Sequence, residues 1–245
     1  MVTDPMMTAS RFSTRPLYLQ VRDALAARIA TGDWQPGAAI PNEGDLAREF
    51  GVSSGTMRKA LDLLESERLL TRRQGRGTFV NDQTSDELAE RYSNIRAQGG
   101  EHISGDFQIL DVSEGVANDA ECTRLSVREH ERVCRVRRLR LCHGKPFMSE
   151  HISMPASLFP GLAKRGEFPH RITILAQEFG VLLGKGQERI SIDTASPEIA
   201  EALRLAPGTP VLMLDRLIHT LDGRPAEWRL GRCHCADKFY LAEFN

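Results

Sequence analysis

Four arginines, Arg68, Arg72, Arg73 and Arg76, fall within nine residues that contain no acid. Guanidiniums at that density suit phosphate oxygens, and the residues around them say what would hold them there. Leu69–Arg73 and Thr78–Val80 flank Gln74-Gly75-Arg76-Gly77, which reads as strand, glycine turn and strand, a β-hairpin with Arg76 at its tip. Just upstream, Ser53-Ser54-Gly55-Thr56-Met57-Arg58-Lys59 opens a helix whose apolar side is Met57, Ala60, Leu61 and Leu64. Arg58 then projects outward, where it can grip a guanine edge through two N–H groups, whereas Ser54, Thr56 and Lys59 suit phosphates. Arg76 is suited to an adjoining minor groove. The alternative is a solvated polar face on an interaction module that never meets nucleic acid.

A second group of chemistry-bearing residues lies past the middle of the chain. In Arg135-Val136-Arg137-Arg138-Leu139-Arg140-Leu141, strand alternation puts Arg138 and Arg140 on one face and Arg135 and Arg137 on the other. Two guanidiniums on one face make an anion site. Glu150, across the Gly144 turn, is placed to pair with them or to take a ligand's hydroxyl or amine. An ion-pair ladder between neighbouring strands is the competing reading, and strand register decides between the two. Five cysteines, Cys122, Cys134, Cys142, Cys233 and Cys235, are odd in number and irregular in spacing, which favours structural thiols over a disulfide framework. Cys233-His234-Cys235 packs three donors too closely for a standard zinc site. No metal or cofactor is expected, and with no phosphate loop or nucleophile elbow the chain does not read as an enzyme.

The first group needs a helical framework. Leu17, Val21, Leu25 and Ile29 recur every four residues, the stripe of a first helix that Gly32 ends. Asn42, with Asp45 three residues on, caps a short helix that buries Leu46, Ala47 and Phe50; Gly51 breaks it, and Ser53 caps the third helix. Two short helices about a glycine turn form a helix-turn-helix, with the hairpin as its wing. Residues 82–102 are polar, contain Gly99-Gly100, and read as a linker with one helical turn near Leu88. Strands then alternate with helices, so the class is α+β, with domains at 14–81 and 103–245. The strands are Phe107–Val112, Val133–Cys142, Pro146–Ser153, Arg189–Ala195, Val211–His219 and Ala226–Cys233; the helices are Val116–Thr123, Ala156–Leu162, Ile172–Phe179 and Pro197–Leu203. A weak repeat runs through them. Leu125, Val127, Val133, Arg138 and Leu139 have counterparts 78 positions later at Leu203, Leu205, Val211, Arg216 and Leu217, and Gly144-Lys145-Pro146 is echoed at Gly223-Arg224-Pro225. Two copies of helix, strand, turn and strand would pair into one antiparallel sheet.

Composition narrows the classes. With 245 residues, 41% hydrophobic and 27% charged, the chain is that of an ordinary globular protein, long enough for two domains or one large one. It has no apolar run of membrane-spanning length and no secretory leader pattern, which points to the cytoplasm. The net charge of −1 hides an uneven division, positive up to residue 81 and negative beyond.

Residues 16–80 resemble the DNA-binding domain of the GntR family of bacterial regulators, without a gap. The resemblance rests on Pro16-Leu17-Tyr18, Gly32-Asp33-Trp34-Gln35-Pro36-Gly37, Leu46-Ala47 and the Gly75-Arg76-Gly77-Thr78-Phe79-Val80 wing. It implies a winged helix-turn-helix on double-stranded DNA, with Arg48, Ser53, Arg73 and Gly77 joining Ser54, Thr56, Arg58, Lys59 and Arg76 at the contact. Gly44 and Ser54 stand where the family usually has arginine, which leaves Arg58 of that trio. From about residue 103 onward the chain is similar to the UTRA effector domain of the HutC subfamily, a chorismate lyase-like antiparallel sheet with helices. The marks are Arg137–Pro155, Pro207–Arg216, Asp222–Trp228 and Ala236–Phe239. This implies a homodimer on a palindromic operator and a small-molecule effector, anionic by the arginines, at Arg138, Arg140 and Glu150. Where relatives place serine and tyrosine against a phosphosugar, this chain has Ile172, Thr173 and Ile174; Thr173 and His234 are the substitutes. The same fold resemblance makes a chorismate lyase-like enzyme the reading from another class.

Overall fold

The computed structural model describes residues 15–85, 92, 94–103, 106–169 and 171–242. The chain divides into two compact units, Met1–Asn81 and Asp82–Asn245. The helical turn anticipated near Leu88 lies outside the described residues.

In the first unit, α1 (Leu17–Ala30), α2 (Glu43–Glu49) and α3 (Ser54–Ser66) precede a hairpin of β1 (Leu70–Arg73) and β2 (Gly77–Val80). Both caps form as anticipated. Asn42 accepts a hydrogen bond from the Asp45 backbone N–H at 2.9 Å, and the Ser53 hydroxyl accepts one from Thr56 N–H at 3.2 Å. The buried side of α3 is Met57, Ala60, Leu61 and Leu64. On α1 the buried residues are Val21, Arg22, Leu25 and Ala26, while Leu17 is exposed. A strict four-residue spacing drifts about 40° per step round a helix, so the ends of that stripe leave the contact face. Buried Arg22 reaches Asp23 at 3.0 Å and Glu67, beyond the end of α3, at 3.6 Å.

The second unit is built on a six-stranded antiparallel sheet in the order β4-β5-β6-β9-β8-β7. Its strands are β4 (Phe107–Val116), β5 (Arg132–Cys142), β6 (Lys145–Pro155), β7 (Leu183–Thr194), β8 (Pro210–Thr220) and β9 (Pro225–Cys233). A short ribbon of β3 (Ile95–Ala97) and β10 (Lys238–Tyr240) stands apart from it. Among the described residues three α-helices complete the unit: α4 (Asp119–Leu125), α5 (Ile172–Glu178) and α6 (Pro197–Leu203). Thus β3 comes from the stretch read as a linker. On one face, α5 packs Ile172, Leu175 and Ala176 on Cys134, Val136, Ile152 and Met154. On the other, α4 covers Val133, and α6 covers Leu139 and Val211.

The sequence repeat is a structural one. β4-α4-β5-β6 and β7-α6-β8-β9 follow one plan, joined where β6 pairs with β9. Asn118 and Ser196, 78 positions apart, cap α4 and α6, and both helices end on a left-handed residue, Ser126 and Arg204. Two anticipated helices are corrected. Val116 belongs to β4, because the capping box of Asn118 and Glu121 starts the helix only at Asp119. In place of a helix over 156–162 there are turns and one 3-10 turn at Leu162–Lys164, since Pro160 and the left-handed Gly161 (φ 75°) interrupt any helix. β7 begins six residues earlier than its alternation suggests, at Leu183. It is an edge strand, largely exposed, so its polar residues need not alternate.

Candidate nucleic-acid interface and buried charge site

The outer side of α3 and the hairpin present a continuous run of exposed polar groups. Ser53, Ser54, Arg58 and Lys59 are exposed and Thr56 is half-buried at the start of α3; Arg73, Arg76 and Gly77 are exposed on the wing. Arg73 and Gly77 face each other across the end of the hairpin, and the Arg76 N–H donates to the Arg73 carbonyl at 2.9 Å to close the turn. Several of these cations are held by acids. Arg58 donates through Nη2 to Glu43 at 2.9 Å and through Nε at 3.2 Å, and Arg48 pairs with Asp45 on its own helix. Arg72 is tied to Asp62 at 2.6 Å and Glu65 at 2.8 Å, whereas the Arg73 guanidinium lies 4.9 Å from the Phe79 ring centroid. Glu43 on α2, which fixes the direction of Arg58, was not singled out from sequence.

The second site is buried in the sheet. Strand register sets Arg138 opposite Glu150, Arg216 opposite Arg229 and Glu188 opposite Arg216, so one face carries a row of charges across five strands. Arg138 Nε meets Glu150 at 2.5 Å, Arg229 bridges Glu150 at 3.0 Å and Glu227 at 2.8 Å, and Arg216 meets Glu188 at 2.7 Å. Burial alone would raise the Glu150 carboxyl, but the charges of Arg138, Arg229 and Arg140 overcome it and hold the group well below the usual carboxylate range. The same carboxylates, Glu150 foremost, raise Arg229 against the effect of burial.

Arg140 differs from its neighbours. It is half-buried, its hydrogen bond goes to the Ile103 carbonyl at 2.8 Å, and no ion pair reaches it among the described residues. Desolvation lowers its basicity despite the pull of Glu150. Asn94, Ile95, Arg140, Glu150, Arg216 and Arg229 line a cavity here of about 10 Å³, near the room one water needs. Its floor includes Gly231, where a Cβ would come within 3.3 Å of Met148 Sδ. Over it lies the β3–β10 ribbon: the Tyr240 hydroxyl donates to Glu188 at 2.7 Å and accepts from Asn94 at 2.6 Å.

The structure brings Arg138, Arg140 and Glu150 onto one face: Arg138 and Glu150 form a rung of an ion-pair ladder, and Arg140, which lines the cavity with Glu150, makes no ion pair among the described residues. Arg135 and Arg137 turn to the opposite face, to Glu121 at 2.6 Å and to Glu198. Thr173 is buried on α5, and its hydroxyl has no hydrogen-bond partner among the described residues. His234 follows β9, half-buried, and its backbone N–H donates to the Phe147 carbonyl at 2.8 Å; it does not line the cavity. Arg216, Glu188, Glu227 and Arg229 were missed as site residues. The repeat held the signal for Arg216, the counterpart of Arg138.

A winged helix-turn-helix in one unit and a duplicated antiparallel sheet with a buried charge row in the other define a class of bacterial regulator. Residues 17–80 match the family of bacterial regulatory proteins named gntR, and residues 101–239 match the UTRA domain. The chain belongs to this family of GntR regulators with a UTRA domain. It is 28% identical over 229 residues to the mannosyl-D-glycerate transport/metabolism system repressor MngR of Escherichia coli K12, covering 93% of this chain and 95% of that protein. It is also 28% identical to the transcriptional repressor NagR of Bacillus subtilis, covering 90% and 91%, and to the histidine utilization repressor of Pseudomonas putida, covering 85% and 84%. The fold is shared with PhnF from Mycobacterium smegmatis (TM-score 0.54, 22% identity, 92% of this chain and 99% of that one). YydK from Bacillus subtilis shares it too (TM-score 0.52, 19% identity, 93% and 99%). The protein is a DNA-binding transcriptional regulator with a small-molecule effector domain, and not an enzyme. Among the described residues no helix is long and apolar enough to cross a membrane.

Proposed function

We propose that the chain is a cytoplasmic homodimeric repressor that holds two winged helices on a palindromic operator and releases it when an anionic effector enters the buried site. Residues 14–81 serve DNA, and the effector and dimer unit includes, besides 103–245, the β3 segment upstream of it, since Asn94 and Ile95 line the cavity. At the DNA, Arg58 reads a base edge; Lys59, Ser53, Ser54, Thr56 and Arg48 position the helix on phosphates; Arg73, Arg76 and Gly77 bring the wing to the adjoining groove. Gly44 and Ser54 supply no cation, so the sequence preference rests on Arg58. Dimerisation is supported by the long edge strand β7, where Ile190 and Ile192 are exposed.

The observation that carries the effector assignment is Arg140, a cation at the cavity with no acid of its own among the described residues. Among the described residues Arg138, Arg216 and Arg229 pair with Glu150, Glu188 and Glu227, and Arg140 pairs with none of these acids. An anionic group on Arg140 gives it the counter-charge its neighbours already have, and Glu150 in the same lining can take a neighbouring hydroxyl or amine, whereas Thr173 does not line the cavity. His234 likewise lies outside the cavity lining. Because the cavity holds no more than a water, entry must displace the β3–β10 ribbon. A rigid shift of that kind changes the separation of two half-sites roughly 34 Å apart, with a coupling of about 1–3 kcal/mol.

The test is retention of genomic fragments on the purified full-length protein in dilute salt, followed by challenge with small carboxylates and phosphates. Selective retention of a palindromic fragment, lost with one anion in wild type and kept with that anion in an Arg140→Ala variant, is the expected result. Failure to retain any fragment would overturn the regulator reading; equal loss in the variant would overturn the effector site.

A further inference from the structure

Three cysteines gather where β9 leaves the sheet. Cys233 is fully buried at the end of β9, paired in register with Met148 and Leu212, and its backbone is fixed there. Two residues on, the half-buried Cys235 returns to the same side and donates its S–H to the Cys233 sulfur, Sγ to Sγ 3.4 Å. Cys142 packs against the same small apolar cluster. That cluster also contains Ile95, Ala97 and Tyr240, the residues by which the β3–β10 ribbon sits on the sheet. Moreover, the Cys235 carbonyl accepts from the Lys238 N–H at 3.4 Å, closing the turn that starts β10.

We propose that Cys233 and Cys235 are a reversible dithiol–disulfide pair, oxidised by hydroperoxides, whose closure loosens the ribbon that covers the buried charge site. A disulfide brings two sulfurs to roughly 2 Å, so closing it from 3.4 Å requires a movement of more than an ångström. Cys233 is held by two neighbouring strands. The movement falls on Cys235 and on the turn behind it, and β10 is the next element along the chain.

The chemistry balances with the oxidant named. The Cys235 thiolate attacks one peroxide oxygen; an S–O bond forms, the O–O bond breaks, and the departing oxygen takes up a proton to leave as alcohol or water. The Cys233 sulfur then attacks the Cys235 sulfenic acid, the S–S bond forms, and hydroxide leaves with the Cys233 proton as water. Two thiols and one hydroperoxide give one disulfide, one alcohol and one water. The environment sorts the two roles: once Cys235 is ionised, the Cys233 S–H turns to donate to its thiolate, and this with the Lys238 ammonium lowers Cys235 against its partial burial, while the same bond and burial push Cys233 up. Elsewhere burial pushes Cys134 up to about 11.

The experiment uses the full-length protein, hydrogen peroxide and a thiol reductant, and does not depend on the regulator reading. Trypsin releases Cys233–Lys238 as one peptide. The expected result is loss of about 2 Da from it on oxidation, regained on reduction, together with faster hydrogen exchange at Ile95–Ala97 and Lys238–Tyr240. In Cys235→Ser neither change occurs, while Cys142→Ser keeps both. A gain of oxygen mass on this peptide, a disulfide between chains or a bond to Cys142 would overturn the pairing. An intact pairing with unchanged exchange in the ribbon would overturn its coupling to the cover.

Discussion

The same side chain is used in opposite ways in the two units. On α2, α3 and the wing, arginines lie at the surface with acids that water can replace: Arg58 on Glu43, Arg48 on Asp45, Arg72 on Asp62 and Glu65. Exposed pairs of this kind contribute little to stability, so a phosphate can take over the arginine at small cost. In the sheet, Arg138 and Arg229 share Glu150 where all three are nearly sealed from water. There, removing one member leaves the others charged in a poor solvent. Identical chemistry serves exchange in one place and fixed geometry in the other, and burial is what separates them.

Breaking the comparison at its strongest point gives the largest effect. Glu150→Gln leaves Arg138 and Arg229 facing each other without their shared carboxylate, and the expected loss is about 3–5 kcal/mol. Urea unfolding of the full chain, followed by a probe of the sheet, measures it; a loss near that of a surface pair would end the distinction. The pH dependence has a definite sign. Glu150 titrates lower in the folded than in the unfolded chain, so its stabilisation is complete above the ordinary carboxylate range. It is lost as pH falls below that range, and Glu150→Gln should flatten the acid side of the stability profile.

How much of this was legible differs between the units for the same reason. Local signals carried the first: Asn42 and Ser53 caps, the glycine turn and the Met57, Ala60, Leu61, Leu64 stripe all reside within a few residues of what they specify. In the second, Ser196 and Pro197 marked the start of α6, and the repeat foretold two hairpins in one sheet. The pairing of Glu150 with Arg229 is invisible in sequence, because 79 residues separate them and only the β6–β9 register brings them together. β3 and β10, three residues each, are too short for alternation to appear, and they meet across most of the unit.

At the surface the effects should appear in recognition while the fold stays intact. Arg58→Ala is expected to lower preference for the operator over random duplex by roughly tenfold to a hundredfold, with unfolding unchanged. Lys59→Ala should weaken operator and random duplex alike and reduce the slope of log affinity against log salt by about 1. Binding isotherms on both duplexes at several salt concentrations distinguish the two. Parallel losses for Arg58→Ala would make it a second phosphate contact.

The smallest effect tests how Arg58 is aimed. Glu43 holds it through both Nε and Nη2, and the pair is exposed enough that its loss should move the unfolding midpoint by no more than about 3 °C. Glu43→Gln keeps the length of the side chain and removes the charge, so Arg58 stays cationic but its guanidinium plane is free to turn. Phosphate attraction then persists or rises, since an acid has left the interface, while a two-pronged base contact loses its alignment. The expected outcome is tighter binding to random duplex with unchanged or weaker binding to the operator. A uniform gain on both would mean that Glu43 acts only through its charge, and that the direction of Arg58 is set by the DNA itself.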